Sequence, residues 1–206
     1  MRLRSLSVFA VVGVLGLTAC GSDRAVSPAA VSPAAPAPAT QVPAATAATG
    51  AAFNDADVAF AQGMIPHHAQ AIEMADIALD STVGASQKVR DLATRIKSGQ
   101  DPEIQLMTGW LTAWGQPMQA NMGTGHDISS MDGMMSAAEM DTLGTMTAAD
   151  FDKMWMEMMI RHHEGAIAMA QTVKAAGLSP DVLGLADRVI AAQQAEIVEM
   201  QSLLRG

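Results

Sequence analysis

The chain has 206 residues, which allows one ordinary domain with appendages or two small domains. Half of its residues are hydrophobic, so it can bury a sizeable core. The chain has 17 Met, and only 3% of its residues are aromatic, which disfavours a β-sandwich or barrel and favours helices. The formal net charge of −9 argues against nucleic acid as a partner, and the single Cys excludes a disulfide framework and a thiolate cage for a metal.

Residues 1–19 are typical of a lipoprotein signal peptide. Arg2 and Arg4 precede an apolar stretch, residues 6–17, that is too short for a permanent membrane span. The sequence ending at Cys20 resembles a bacterial lipobox, so we expect cleavage before Cys20 and a lipid on its sulfur. An ordinary secretory signal with a coincidental Cys is the alternative. We therefore predict an exported, lipid-anchored protein of the bacterial cell envelope, at the periplasmic face or the cell surface.

The chain after the signal peptide divides into a tether and a folded domain. Residues 20–52 are rich in Ala, Pro, Ser and Thr, and they contain almost no large apolar side chains. Such a composition cannot bury a core, so we predict a disordered tether that starts at the lipidated Cys20. The folded domain is expected to occupy residues 53–206.

The folded domain contains an internal duplication. Residues 57–76 align with residues 152–171 at an offset of 95, and residues 92–107 align with residues 185–200 at an offset of 93. Each copy has the pattern of a helix, a short loop and a second helix. Because neither helical hairpin can cover its own apolar face, we predict an all-α fold, a four-helix bundle with a Met-rich connecting segment.

Two prolines bear on the helix boundaries. Pro66 is tolerated if the first helix begins near Ile65, which would leave residues 57–63 as a separate turn. Pro102 is expected to kink or interrupt the second helix near residues 99–102.

Two pairs of adjacent histidines lie on the predicted inner faces of the first helix of each copy. At about 100° per residue, each pair falls within roughly 60° of a Met on the apolar stripe, whereas Gln70 faces away. A single inward His is more often a hydrogen-bonded core residue, but a duplicated pair with Met three residues before it favours a metal site. These residues are Met64, His67 and His68 in the first copy and Met159, His162 and His163 in the second.

The second helix of each copy places polar residues in the middle of its apolar stripe. Gln100 and Glu103 in the first copy correspond to Gln193 and Glu196 in the second. Buried polar groups need partners, because an unpaired buried carboxylate costs several kcal/mol or becomes protonated. We expect these four side chains to pair with the inward histidines and to form the second shell of a metal centre.

The segment between the copies, residues 118–146, has an unusual composition. It holds seven Met and His126 among Gly, Ser and Asp, which core packing does not explain. Flexible thioethers beside a histidine are typical of a soft-metal site. The candidate ligands in this segment are Met122, His126, Met131, Met134 and Met135.

These motifs resemble one known family. The repeated M-I-x-H-H-x-x-A-I-x-M-A and Q-x-x-E-I-x-x-x-M segments, with G-M-M-S-A-A-E-M-D between them, are similar to the family called domain of unknown function 305 over nearly all of residues 53–206. The resemblance implies a secreted or envelope-anchored, ferritin-like four-helix protein with copper-binding relatives that act in copper tolerance. The positions it implicates as metal ligands are Met64, His67, His68, Met74, Met159, His162, His163 and Met169.

The softness of the donors favours copper, as Cu(I), over other metals. Zinc would use the histidines and gain little from Met, and iron is disfavoured because a di-iron bundle needs four carboxylates and Glu-x-x-His motifs. One His of each pair is expected to ligate a metal ion while the other serves a neighbouring site or the second shell. The alternative that both pairs surround one central ion stays open. Because imidazole must be neutral to ligate, affinity should fall below about pH 6.5 while thioether sites persist.

Two functions of different classes follow. The first is a copper-binding protein that sequesters copper or hands it on without turnover, so not an enzyme. The second is a metal-free helical interaction module with a buried His/Gln/Glu network, and copper or iron redox chemistry is a weaker third option. The partners expected are a metal ion and the membrane, through the lipid on Cys20; a copper-handling envelope protein is left open.

Overall fold

The computed structural model describes residues 52–119 and 131–206, and these form five α-helices without any strand. Cys20, the tether, Met122 and His126 lie outside the described residues, so the roles expected for them stay predictions. The helices are α1 (Asp55–Leu79), α2 (Gln87–Ala113), α3 (Ala137–Thr145), α4 (Ala148–Ala176) and α5 (Pro180–Arg205). Over these ranges, none of the helices combines the length and the apolar character needed to cross a lipid bilayer.

The four long helices pack as two hairpins, α1 with α2 and α4 with α5, and the hairpins meet through α1 and α4. One apolar cluster contains the first half of α1 and the second half of α4, and a second cluster contains the opposite halves. The helices α1 and α4 are therefore antiparallel, and equivalent residues of the two copies face each other where they cross. The predicted all-α bundle built from two repeated hairpins is confirmed.

A duplicated pair of aspartates joins the hairpins. Asp57 of α1 accepts hydrogen bonds from the backbone N–H groups of Leu178 and Ser179, both at 3.0 Å, at the start of α5. Its equivalent Asp152 of α4 accepts one from the N–H of Ser86, the N-cap of α2, at 3.0 Å. Each copy thus supplies a carboxylate to the N-terminus of the other copy's second helix, where the free N–H groups and the helix dipole favour a negative charge.

The expected interruptions at the two prolines were wrong, and the alternative of a kink at Pro102 stays a prediction. Pro66 lies inside the continuous helix α1, which begins at Asp55 behind an Asn54 capping box, and Pro102 lies inside the continuous helix α2. In α1 the reason is burial on the N-terminal side of the proline, where Phe60 is 4% exposed and Met64 is fully buried. The packing of that turn keeps it helical despite the hydrogen bond that proline removes.

The connecting segment is partly core, contrary to the expectation that packing would not explain its methionines. Met134, Met135 and Met140 are all buried. Residues 137–145 form the unpredicted helix α3, which packs against α4 and starts with a capping box between Ser136 and Glu139. Ser followed by Glu three residues later is a sequence signature of a helix start, and here it was overlooked.

Candidate metal centre

The centre of the molecule is the point where α1 and α4 cross. His67 of α1 and His162 of α4 are equivalent residues of the two copies, and both are fully buried. Their ring centroids are 3.9 Å apart and the ring planes meet at 44°. The antiparallel packing of the duplicated helices therefore brings two imidazoles into contact in the interior.

A histidine–carboxylate pair lies on each side of this central pair. His68 Nε2 is 2.8 Å from Glu103 Oε2, and His163 Nε2 is 2.7 Å from Glu196 Oε2. A carboxylate can only accept a hydrogen bond, so each Nε2 carries the proton and donates it. The Nδ1 atom of each ring is then a lone-pair donor, and each is buried without a partner among the described residues. The expected contact between the inward Glu residues and the histidines is confirmed.

Many polar atoms around the crossing have no partner. His67 Nε2 lies 3.3 Å from the carbonyl oxygen of Asp132, whereas its Nδ1 and both ring nitrogens of His162 have no well-aligned hydrogen-bond partner in the described ranges. The side chains of Gln100 and Gln193 are buried as predicted, but they do not pair with the histidines. In residues 52–119 and 131–206, all buried side-chain nitrogen and oxygen atoms without a partner belong to these two glutamines and the four histidines.

The two central imidazoles are held in the neutral form. Burial, reinforced by the neighbouring His68, lowers the pKa of His67 from 6.5 to about 4. Burial, with His67 and His163 close by, lowers the pKa of His162 well below its ordinary value. Their lone pairs are therefore not blocked by protons at neutral pH. For these two residues, the loss of ligation expected below about pH 6.5 moves to a lower pH.

The candidate methionines on the long helices fall into two groups. Met64, Met74 and Met159 are fully buried, and Met64 lies on the same face of α1 as His67 and His68. Met169 is partly exposed. A Cβ atom on Gly63 would lie 2.9 Å from the Met169 methyl and 4.0 Å from the Met131 sulfur, so these two thioethers lie over α1 one turn before His67.

The candidate methionines on the connecting segment have mixed surroundings. Met131 lies over α1, and Met134 is packed at 8% exposure. Met135 contacts a charge, since the Arg161 guanidinium lies 2.6 Å from its sulfur and 2.5 Å from a carboxylate oxygen of Glu139. The Met135 sulfur is therefore already in contact with a cationic side chain.

The donors are arranged as pairs. Among the described residues, no three or more His, Cys, Asp or Glu side chains are grouped so that they could hold a metal ion. The imidazoles alone therefore do not form a complete coordination shell in this arrangement. A three- or four-coordinate site needs a thioether sulfur or a change of side-chain rotamer.

Two residues near the centre were missed from the sequence. Gln70, which was expected to face away, bonds the backbone of Met135 through both atoms of its amide. Asp132 contributes its backbone carbonyl to His67. No sequence pattern marks a backbone oxygen, whereas the glutamine lies only one turn beyond His67 and could have been considered.

The chain is similar to one family over almost the whole described domain. Residues 57–204 match the family described as "Domain of unknown function (DUF305)". A putative secreted protein of this family from Streptomyces coelicolor is 32% identical with a TM-score of 0.66, covering 73% of this chain and 92% of that one. A fragment from Deinococcus radiodurans is 33% identical with a TM-score of 0.65, covering 73% of this chain and 96% of that one.

A solved copper-bound protein is also similar to this chain. CopM in the Cu(II)-bound form is 34% identical with a TM-score of 0.61, covering 72% of this chain and 95% of that one. The same protein has been solved in Cu(I)-bound, silver-bound and apo forms. No functionally curated protein matches the chain.

Proposed function

The chain belongs to the DUF305 family, and we propose that it is a copper-binding protein that holds or hands on Cu(I) without turnover. The binding centre proposed is the crossing of α1 and α4. The similarity to copper-bound CopM supports the choice of metal, although that name describes a relative and not this chain.

The observation that carries the proposal is the group of unpartnered polar atoms at the crossing. Buried polar groups in proteins are almost always hydrogen-bonded, and an exception points to a missing ion or water. Here the exceptions among the described residues are confined to the four paired histidines and to two glutamines, each one helical turn before the glutamate that contacts a histidine. Lone pairs on neutral, buried imidazoles are suitable donors for Cu(I). Two such lone pairs cannot form a hydrogen bond with each other.

The residues around the crossing have distinct proposed roles. His67 and His162 offer imidazole nitrogens at the centre, and His68 and His163 offer Nδ1. Glu103 and Glu196 fix the tautomer of these flanking rings and raise the basicity of Nδ1, as carboxylates do behind metal-bound histidines. Sulfur completes the donor set through Met64, Met74, Met159 and Met169, with Met122, His126, Met131, Met134 and Met135 as further candidates from the connecting segment.

The proposed location is the cell envelope. Lipid on Cys20 would anchor the chain, and residues 20–52 would serve as a tether. Cys20 and the tether up to residue 51 lie outside the described residues. Similarity to a putative secreted protein supports export, and it leaves the anchor to be tested. Receipt of copper from a partner in the envelope, or its delivery there, belongs to the same proposal.

A metal-free interaction module is the second candidate. The His68–Glu103 and His163–Glu196 pairs favour it, because they are complete hydrogen bonds without any metal. The unpartnered nitrogens of His162 count against it, since a polar network that only fixes the packing would satisfy them.

The test is a Cu(I) titration under reductant against a chromophoric chelator, in a Cys20→Ser background that removes the thiol. We expect binding tighter than micromolar, lost when the four paired histidines are replaced by Ala. A matched comparison probes the sulfur: Met64→Leu with Met159→Leu should weaken binding, while Met107→Leu with Met200→Leu, equally buried equivalent positions on α2 and α5, should not. Binding that is unchanged without the four histidines would exclude the proposal.

A further inference from the structure

A short stretch of the connecting segment crosses α1 and α4 beside the central histidines. This stretch, residues 131–136, is called the strap here. Its Asp132 carbonyl lies 3.3 Å from His67 Nε2, and its backbone lies against Gly165 of α4, one turn beyond His162. The strap therefore contacts both helices at the level of the central pair.

Besides the contact of His67, the side chain of Gln70 binds the strap to α1. Gln70 Oε1 accepts a hydrogen bond from the N–H of Met135 at 2.7 Å, and Gln70 Nε2 donates one to the carbonyl of Met135 at 2.9 Å. The amide thus pairs with both backbone groups of one residue, in the way that a neighbouring strand would. Loss of this single side chain removes both bonds.

The strap is fitted to α4 through two glycines. A Cβ on Gly165 would overlap the carbonyl of Asp132 and lie 2.9 Å from the Gly133 Cα. Gly133 has a φ of +83°, which side-chain-bearing residues rarely adopt, and a Cβ there would lie 2.7 Å from the carbonyl oxygen of Arg161. The close approach of the strap to α4 therefore requires glycine at both positions.

Gly165 occupies the position in the second copy that Gln70 occupies in the first. The duplication has diverged here in a complementary way, because one helix reaches the strap with a side chain and the other makes room for it. Both differences act on the strap.

We infer that the strap is the gate through which a soft cation reaches the central histidines, and that Gln70 and Gly165 are the positioning residues that seat it. The inference rests on the proposed function. With the strap in place, both central rings are fully buried, so a cation must wait for an opening. Among the described residues, the strap supplies only Met134 and Met135 to the buried apolar side chains, and the long helices supply most of the others. The two bonds of Gln70 end on a partly exposed side chain, so the strap is the element that opens at lower cost.

The experiment measures access separately from affinity, again in the Cys20→Ser background. Gln70→Ala removes the two bonds and Gly165→Ala displaces the strap. Their matched controls are Gln105→Ala, an exposed glutamine of α2, and Gly109→Ala, a helical glycine with open space around its Cβ position. Two rates are followed: carbethoxylation of His67 and His162 by diethyl pyrocarbonate, mapped by peptide mass, and release of Ag(I) to excess competing thiol.

We expect Gln70→Ala to accelerate carbethoxylation and Ag(I) uptake and release by about tenfold, which corresponds to about 1.4 kcal/mol for the two lost bonds together. The equilibrium Kd for Ag(I) should stay within about threefold, because both rates change together. Gly165→Ala should act in the same direction, and the controls should match the parent protein. If Gly165→Ala does not fold, Gln70→Ala alone decides.

Rates in Gln70→Ala equal to those in Gln105→Ala would overturn the gate. A loss of affinity with unchanged rates of carbethoxylation would overturn it as well, because the strap would then be a ligand and not a cover. A parent protein that binds no Ag(I) contradicts the proposed function, and the carbethoxylation rates still decide whether the strap controls access.

Discussion

The two copies of the hairpin are most alike in the interior. The His68–Glu103 and His163–Glu196 pairs differ by only 0.1 Å in length, at 2.8 Å and 2.7 Å. The copies differ where the strap crosses them, with Gln70 in one helix and Gly165 in the other. The proposed donor atoms lie on the shared residues and the proposed gate is seated by the divergent ones, so the comparison separates binding from access.

The largest expected effect concerns the central pair in acid. The pKa of His67 is about 4 in the folded protein and about 6.5 when unfolded, so between these values only the unfolded chain takes up the proton. The metal-free protein should therefore lose stability as the pH falls from 6.5 to 4, by about 3 kcal/mol for His67 alone. His162, with its lowered pKa, adds to the loss in the same direction.

Urea unfolding at a series of pH values, with a chelator present, measures this loss. His67→Gln with His162→Gln should flatten the dependence in that window. The same slope in the parent and in the double variant would show that the two imidazoles are not the groups responsible.

The second prediction compares how much the two aspartates that join the hairpins contribute to the free energy of unfolding. Asp57 is fully buried and accepts from three backbone N–H groups, those of Asn54, Leu178 and Ser179. Asp152 is partly exposed and, among the described residues, accepts from Ser86 alone. Replacement by Ala should cost about 3 kcal/mol at the first position and about 1 kcal/mol at the second. Denaturant unfolding of the two variants measures both values. Equal losses would mean that the number of bonds does not set the contribution.

The third prediction concerns the two carboxylates that orient histidines. Glu103→Gln and Glu196→Gln should each weaken Ag(I) binding by about tenfold to a hundredfold, because the carboxylate fixes the ring and raises its basicity. The effects should be similar, since the two pairs have the same geometry. Glu199→Gln, at an exposed partner of Arg95, is the control. A large effect at only one of the two pairs would show that the copies bind unequally.

The smallest expected effect lies where α1 and α4 begin differently. The start of α1 has a capping box, whereas Thr147 gives α4 no side-chain cap, and Ala148 has a φ of +53°. Ala148→Gly should stabilise the protein by about 0.5 to 1 kcal/mol, because glycine tolerates that conformation. Thermal unfolding should show the opposite sign for Ala149→Gly, which follows in ordinary helix. Destabilisation by both substitutions would contradict a strained start.

The bundle was predictable because the sequence patterns that define its helices are local and occur twice. Apolar periodicity defined the four long helices, and the duplication identified them as two equivalent hairpins. The contacts of Glu103 and Glu196 also followed, since an inward carboxylate must find a partner. The interruptions expected at Pro66 and Pro102 were wrong because long-range packing overrides the local tendency of proline to end a helix. Helix α3 was missed although Ser136 and Glu139 form a readable capping box.

The arrangement of the strap could not be predicted. Its contacts join the backbone of Asp132 and Met135 to residues far away in sequence, and backbone groups carry no residue-type signal. The burial of Met134 and Met135 depends on where the strap crosses the bundle, which composition does not reveal. The requirement for glycine at position 165 becomes visible only once the opposing backbone is in place.

The most direct test of the central claim is X-ray absorption at the copper edge of the Cu(I)-loaded protein in the Cys20→Ser background. We predict a shell of imidazole nitrogen together with thioether sulfur. The nitrogen contribution should fall in His67→Ala with His162→Ala and persist in His126→Ala. A spectrum without imidazole scattering, or one that the central double variant leaves unchanged, would contradict a copper centre at the crossing of α1 and α4.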